Sequence, residues 1–310
     1  MLRSLRIAAA CACIAAINTA SAQAHGIAGD RIFPATLTMD DPAVGDELSL
    51  PTFELQPGQT GTAANEYDYG VEWDKTIVKG FGVAFNDGYT NIRQPAAADG
   101  NKYGWQDPIL TLKYTFFESD RHEILASFGV QKEFGGVGGV NSIGADGVGW
   151  TQPTLYVGKG LGDLPPSLGL LRPLAITGEL GYQWEDKDFQ NPDLWNANFS
   201  IQYNLQYLQS QVKDYGLPDF VNRLIPLVEV TTTTPASSST AGTATSSTIA
   251  PGILYEGGSY QFGIEALIPA THATGNEVGM IAQLHFYLDD VFPNSLGKPV
   301  FDGAAPRLQW

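Results

Sequence analysis

Histidine is the residue type with the most distinctive potential chemistry, because the 310 residues contain only four. If an export signal were removed after Ala24, His25 would become the first residue of the mature chain. Its free amine and imidazole could then chelate copper as a histidine brace, which a second histidine would complete. The partners for such a site are His122, His272 and His285. A brace also needs a rigid soluble scaffold, and the simpler interpretation is that cleavage exposes whatever residue follows the signal. His25 is the one candidate for a copper site.

Carboxylates and amides recur on the polar side of segments in which apolar and polar residues alternate. In residues 174–184, for example, Glu179 and Gln183 occupy the face opposite Leu180 and Trp184. Carboxylates that face the inside of a pore favour cations or polar solutes over anions. They could equally be solvated residues paired with Lys or Arg across the interior. The candidates for side chains that line a lumen are Asp68, Glu72, Glu179, Gln183, Gln202, Gln206, Glu265, Gln283 and His285.

No arrangement in the chain predicts an enzyme. There is no Gly-x-Ser-x-Gly motif of the kind that presents a nucleophilic serine. No spacing brings two carboxylates close together, as glycoside hydrolysis requires. The acidic pairs Asp40-Asp41 and Asp289-Asp290 could bind Ca²⁺, although a role in turns is simpler. We therefore predict no catalytic residue and no cofactor.

The composition limits the classes of function. Charged residues make up 16% of the chain, the formal net charge is −16, and 43% of the residues are hydrophobic. A nucleic-acid-binding surface needs a cationic footprint, so this balance argues against nucleic acid as a partner. The hydrophobic content is sufficient to build a core.

The first residues have the layout of a secretory signal peptide. Arg3 and Arg6 precede an apolar stretch at residues 7–17, and Ala22-Gln23-Ala24 has the small-x-small pattern of a cleavage site. The apolar stretch is too short to span a bilayer, which takes roughly 20 residues. We expect residues 1–24 to be removed on export. Because Cys11 and Cys13 lie in this segment, the mature chain would have neither thiol nor disulfide.

Most of the remaining chain alternates between apolar and polar residues with a period of two. The clearest case is residues 195–207, where Trp195, Phe199 and Ile201 alternate with Asn and Gln residues. A helix would bury those amides, so a strand is the economical interpretation. The same pattern predicts strands at residues 66–74, 81–85, 109–116, 124–134, 154–158, 174–184, 195–207, 224–232, 249–255, 260–268 and 280–288, with a further candidate at 48–55.

The connecting segments complete the expected organisation. Asn86-Asp87-Gly88 is typical of a turn, and residues 231–248, almost entirely Thr, Ser and Ala, predict a long mobile loop. We expect an irregular N-terminal segment at 25–64 with at most one strand, a barrel at 65–288, and a tail at 289–310. The tail would pass through the lumen, lie in the periplasm, or add one short strand at residues 308–310.

Two architectures use many alternating strands: a soluble sandwich and a transmembrane barrel. Soluble strands average about five or six residues, whereas a tilted membrane strand needs roughly nine to eleven. In lipid the backbone groups must pair with one another, so the sheet must close and leave no edge. We therefore predict an all-β, antiparallel up-and-down barrel of about 12 strands, with a lumen that is narrow or obstructed by inward loops. The aromatic residues expected near the membrane interfaces are Trp73, Trp105, Phe116, Trp150, Trp184, Trp195 and Tyr207.

Three segments resemble a known family. The opening Asp30-Arg31-Ile32-Phe33-Pro34 and Asp40-Asp41-Pro42, together with the closing Phe286-Tyr287-Leu288-Asp289-Asp290, are similar to the bacterial outer-membrane proteins of the phenol-degradation MetA pathway. The resemblance covers most of the expected mature chain and includes no catalytic motif. It implies a barrel that passes or binds small, hydrophobic or aromatic compounds.

Three functional hypotheses follow. The first is a passive channel or transporter for small solutes in the outer membrane of a Gram-negative bacterium, with outer-membrane lipid and a small solute as its partners. The second is a plugged barrel with a structural or binding role, whose partner protein is not specified. The third is a soluble periplasmic β protein that binds copper through His25.

Overall fold

A computed structural model describes residues 26–58, 64–94, 100–143, 147–187, 191–237 and 244–309. The expected signal peptide, His25 and Trp310 lie outside these residues. Strands dominate the described chain, and they are β1 (Gly26–Ala28), β2 (Arg31–Phe33), β3 (Glu47–Gln56), β4 (Asn65–Val78), β5 (Phe81–Arg93), β6 (Lys102–Trp105), β7 (Ile109–Ser119), β8 (Ile124–Glu133), β9 (Trp150–Gly160), β10 (Leu174–Glu185), β11 (Leu194–Tyr203), β12 (Leu224–Pro235), β13 (Ser246–Glu256), β14 (Tyr260–Pro269), β15 (Gly279–Tyr287) and β16 (Leu308–Gln309).

Twelve strands of the described chain form a closed antiparallel ring, which confirms the predicted barrel. Strands β3 to β15, without β6, pair in chain order, and β15 pairs with β3 to close the ring. The short strand β6 extends the pairing of β5, while β1 and β2 form a separate hairpin. We call the end where β3 begins and β15 ends the lower end, and the opposite end the upper end.

The barrel wall separates a polar inside from an apolar outside. In β10, Ala175 and Thr177 are buried, whereas Ile176 and Leu180 on the other face are 43% and 49% exposed. Successive side chains of a strand point to opposite faces of the sheet, so one set must face outward. The same alternation around the ring gives an outer surface that carries Leu112, Phe128, Leu155, Phe199, Ile201, Val228, Ile253, Phe262 and Ile264.

Aromatic side chains border this apolar surface near the upper end. The Tyr182 ring lies 5.3 Å from Trp184 and 4.8 Å from Trp195, both edge-on. Such rings, apolar at one end and polar at the other, are typical of the border between lipid and water. Tyr207 was expected among them but is buried at the lower end, because the chain leaves the strand before reaching it.

Several boundaries differ from those predicted. The ring begins with β3 at Glu47 and not at residue 65, because β15 and β4 both pair with β3. The predicted turn at Asn86-Asp87-Gly88 lies inside β5, because β4 supplies a pairing partner to each of its residues. The predicted loop at 231–248 is strand at both ends, since β-branched threonines suit a strand and Thr231 pairs with Thr248. Residues 238–243 lie outside the described chain. The strand predicted at 195–207 ends at Tyr203, where Asn204 caps a helical turn by accepting a hydrogen bond from the Tyr207 backbone.

The helical elements are short and lie in the connections and the tail. None of the described helices is long and apolar enough to cross a membrane. They are α1 (Val140–Ile143), a 3₁₀ helix (Pro166–Leu171), α2 (Leu205–Tyr207) followed by a π-helical turn (Leu208–Val212), α3 (Asp219–Asn222) and α4 (Leu288–Val291).

The C-terminal tail forms the short strand that was one of the alternatives predicted for it. Strand β16 pairs in parallel with Phe117 and Glu118 of β7, below the point where β5 begins to pair with β7. An ion pair between Arg307 and Glu118 holds it there. The tail therefore covers part of the lower wall and is not one of the twelve ring strands.

Candidate functional site: the plugged lumen

The chain between the N-terminal hairpin and β3 lies inside the ring. We call residues 34–46 the plug. Leu37 packs in an apolar cluster with Ile225, Leu227, Leu254 and Ile281, which point inward from three strands of the wall. Part of the lumen is thus filled by the protein's own chain. The obstruction predicted from the sequence is a set of inward loops, and the segment at 25–64 is predicted only to be irregular.

Glu229 of β12 holds the plug by its backbone. Its carboxylate accepts hydrogen bonds from the backbone N–H groups of Leu37, at 3.2 Å, and Thr38, at 2.7 Å, and from the Thr38 hydroxyl. An irregular segment has no strand partner for its N–H groups, and a buried donor without an acceptor is costly. The inward carboxylate supplies the acceptors that a neighbouring strand would otherwise provide.

Lys113 of β7 holds the next part of the plug by charge. Its ammonium lies 2.6 Å from Asp40 Oδ2 and donates to the Asp41 carbonyl at 3.1 Å. The same ammonium lies 4.8 Å from the centre of the Tyr156 ring, which favours a cation. Lys113 is 7% exposed, so these contacts are shielded from water.

Wall side chains also donate hydrogen bonds to two carbonyl groups of the plug, and an ion pair holds its last residue. Gln261 Nε2 donates to the Ala35 carbonyl at 2.6 Å, and the Ser127 hydroxyl donates to the Pro42 carbonyl. Lys75 forms an ion pair with Asp46, just before β3 begins. The plug is therefore bound to inward side chains of strands on several sides of the ring.

A buried arginine anchors the N-terminal hairpin to the lower turns. Arg31 is 0% exposed; its Nε donates to Glu123 Oε2 at 3.1 Å, and its other nitrogens donate to the carbonyls of Arg172 and Pro173. Its guanidinium stacks 3.9 Å from the centre of the Tyr207 ring. The Tyr207 hydroxyl donates to Glu123 Oε1 at 2.7 Å. Burial and this hydrogen bond raise the pKa of Tyr207 to about 12, so the phenol stays a donor at neutral pH.

A cavity of about 290 Å³ lies beside the plug inside the ring. Plug residues 35–41 line one side of it, and Asn86, Gln131, Gln152 and Asn196 are among the wall residues that line the rest. A neighbouring space of about 450 Å³ is bordered by Thr38 and by threonines of β12 and β13. The acidic residues that line the first cavity are Asp40, Asp41, Glu47, Glu72, Asp74 and Glu179. None of the described residues that line it is Lys or Arg.

Most of the residues proposed from sequence as lumen lining do point into the ring. Glu72, Glu179, Gln283 and His285 border the 290 Å³ cavity. Glu265 and Gln202 are 2% exposed and lie inside the lower wall. Near the upper end, Asp68 accepts hydrogen bonds from Thr90 and Gln106, and Gln183 donates to Glu185 and accepts from Asn196.

Gln206 was wrongly predicted to line the lumen. It lies in α2, beyond the end of β11, and its side chain is exposed. The apolar–polar alternation continues through residue 207, but the cap at Asn204 starts a helical turn and takes Gln206 out of the wall. Alternation alone could not show where the strand stops.

The structure does not bring the described histidines together. His285 lies in the lower wall, with Nδ1 2.9 Å from Ser49 Oγ and Nε2 3.4 Å from Glu47 Oε2. His122 lies in the lower turn between β7 and β8, and His272 in the upper connection between β14 and β15. No group of three or more potential metal ligands occurs in the part of the chain that the structure describes.

Known proteins share the architecture at low sequence identity. The KdgM porin is 10% identical and covers 77% of this chain and 98% of its own, with a TM-score of 0.45. The NanC porin is 9% identical and covers 78% of this chain and 98% of its own, with a TM-score of 0.49. The translocator domain of the autotransporter NalP from Neisseria meningitidis is 11% identical, with a TM-score of 0.40. Its alignment covers 79% of this chain and 89% of that domain.

No protein-family model matches the chain, so the resemblance to the MetA-pathway family is not confirmed. No curated protein matches it either.

Proposed function

We propose that the chain is an exported outer-membrane barrel that admits small polar solutes from its upper end and is closed by the plug. One observation carries the proposal: a ring with an apolar outside encloses an acidic lumen, and the protein's own N-terminal segment is bound inside that lumen. The passage of a solute through the barrel then requires the plug to move.

The apolar outer face supports a membrane location. An exposed ring of Leu, Ile, Val and Phe is costly in water, whereas lipid solvates it and the closed ring leaves no strand edge unpaired. Leu112, which is 46% exposed, points outward next to the inward Lys113.

The Leu112→Arg substitution tests this location. A cation on the lipid side of a barrel costs about 2–4 kcal/mol near the middle of the bilayer. We therefore expect a loss of this size in the free energy of unfolding, measured by urea titration in lipid vesicles. Asp302→Arg, in the exposed tail, is the control and should change little. If both variants lose equally, the proposed orientation of the wall is wrong.

The cavity supports polar solutes over the hydrophobic or aromatic compounds that the family resemblance implied. Its acidic residues and amides form a lining that is costly to remove from water unless a ligand makes hydrogen bonds or ion pairs with it. An apolar molecule offers neither.

The plug can be locked to test whether it closes a channel. A Cβ atom placed at Gly263 lies 2.6 Å from Leu37 Cδ1. Because Cδ1 is two bonds from the Leu37 Cβ, the two Cβ atoms are at most about 5 Å apart, which brings cysteines at both positions within reach of the Cβ separation of about 3.5–4.5 Å found in disulfides. Cys11 and Cys13, in the expected signal peptide, are the other cysteines of the chain.

We expect discrete conductance steps from the wild-type protein in planar bilayers, none from the oxidised Leu37→Cys/Gly263→Cys variant, and their return after reduction. Steps that persist in the oxidised variant would contradict plug movement. If the wild-type and reduced proteins are both silent, the second hypothesis of a permanently plugged binding barrel replaces the channel.

A further inference from the structure

The solute that fits the cavity can be narrowed to a chemical class; this inference rests on the proposed function. The cavity has six acidic residues in its lining and no described Lys or Arg. The nearest described cation, Lys113, is already committed to the plug residues Asp40 and Asp41. The lining therefore contains more carboxyl groups than there are described Lys and Arg side chains to pair with them.

A buried amide in the cavity wall independently indicates that a hydrogen-bond donor is absent from the cavity. Gln283 borders the cavity and is 6% exposed. Its Nε2 donates to Thr52 Oγ1 at 3.1 Å, but its Oε1 has no hydrogen-bond partner. Buried polar atoms are rarely left without a partner, so an unpaired acceptor in the wall of an acidic cavity points to a ligand that donates hydrogen bonds.

The positions of the acids favour an organic cation over a metal ion as the ligand of the cavity. Glu72 and Asp74 belong to β4 and Glu179 to β10 on another side of the ring, with Asp40 of the plug between them. A bound metal ion needs its ligands gathered around one point, and no group of three or more candidate ligands occurs among the described residues. An extended molecule with several N–H donors can reach carboxylates that are spread around a cavity.

We infer that the cavity beside the plug binds small organic cations that carry ammonium groups, such as linear polyamines. The ammonium groups lie against the carboxylates of Glu72, Asp74 and Glu179, and the open acceptor of Gln283 takes a further N–H. The net charge of −16 assists the approach of cations to the upper end and repels anions.

Isothermal titration calorimetry on the folded full-length protein in detergent tests the inference. With spermidine as the probe we expect saturable binding that weakens as salt rises, and no heat from butane-1,4-diol, a neutral molecule of similar backbone. Glu72→Gln and Asp74→Asn should each weaken binding about tenfold or more, because each removes a charge-assisted hydrogen bond. Asp302→Asn removes the same charge from the exposed tail and should leave binding unchanged.

Gel mobility with and without heating shows that each variant is a folded barrel, so a loss of binding is not a loss of folding. The inference is overturned if spermidine does not bind, if the cavity variants bind like wild type, or if Ca²⁺ at equal ionic strength displaces spermidine stoichiometrically and shows the same dependence on Glu72.

These experiments can refute the cation site and the channel independently of each other. The cavity exists with the plug in place, so the oxidised Leu37→Cys/Gly263→Cys variant should bind spermidine as tightly as wild type. Binding without any conductance would refute the channel alone, and conductance without binding would refute the cation site alone.

Discussion

Replacing Arg31 by methionine is expected to lower the free energy of unfolding by about 3–5 kcal/mol, the usual cost of removing one partner from a buried ion pair. Methionine keeps much of the side-chain volume but leaves the Glu123 carboxylate buried without its cation. It also leaves the carbonyls of Arg172 and Pro173 without their donor and the Tyr207 ring without its stacked guanidinium.

Chemical denaturation in detergent measures this loss, and limited proteolysis of the folded protein reports whether the hairpin and plug have detached. The double variant Arg31→Met/Glu123→Gln should recover part of the stability, because no charge is then left unpaired. Lys298→Met is the matched control: Lys298 and its partner Asp302 are 60% and 96% exposed, and exposed pairs contribute little. An Arg31→Met protein as stable as the Lys298→Met protein would show that the anchor does not hold the hairpin.

Replacing Lys113 by methionine is expected to open the barrel. The substitution removes the ion pair to Asp40 and the hydrogen bond to the Asp41 carbonyl, and it leaves the plug carboxylates facing the other acids of the cavity without a cation. A hydrogen bond to a charged group contributes about 1.5–3 kcal/mol, so the loss of even one should raise the fraction of open molecules about ten- to a hundredfold.

Single-channel recording measures the open fraction directly. Lys102→Met is the control, since Lys102 is exposed in β6, away from the plug. The combination of Lys113→Met with the oxidised Leu37→Cys/Gly263→Cys pair should be silent again, which would show that the added conductance comes from plug movement. An unchanged open fraction in Lys113→Met would mean that this ion pair does not keep the plug closed.

The wall was largely predictable because its pattern is local. An apolar side facing out and a polar side facing in force alternation on each strand, and this placed the ring strands, including the candidate at 48–55 that became β3. It also oriented Glu179 and Glu72 correctly, since a side chain's face follows from its position in the alternation.

Strand ends were less predictable because they depend on partners. Asn86-Asp87-Gly88 has turn-forming residues, yet β4 pairs with it throughout and keeps it extended. In residues 195–207 the alternation continues to Tyr207, but the chain turns at Asn204 to bring Tyr207 under Arg31, a contact across more than half the sequence. No local rule could anticipate that contact.

The plug could not be predicted because nothing in it repeats. Its residues have neither helical nor strand periodicity, and their partners are distant: Leu37 bonds to Glu229 and Asp40 to Lys113. The one available sign was indirect. Several acids are placed on the inner faces of strands by the alternation, which gives no indication of the groups in the lumen that contact them.

The position of β16 has a consequence for how the chain associates with others. Strand β7 extends below β5, and the tail pairs with Phe117 and Glu118 in that exposed stretch. An unpaired strand edge is a template onto which another chain can add a strand. The C-terminal residues thus cover an edge onto which a second chain could otherwise add a strand. This role in preventing edge-to-edge dimers and aggregates is separate from the function of the lumen.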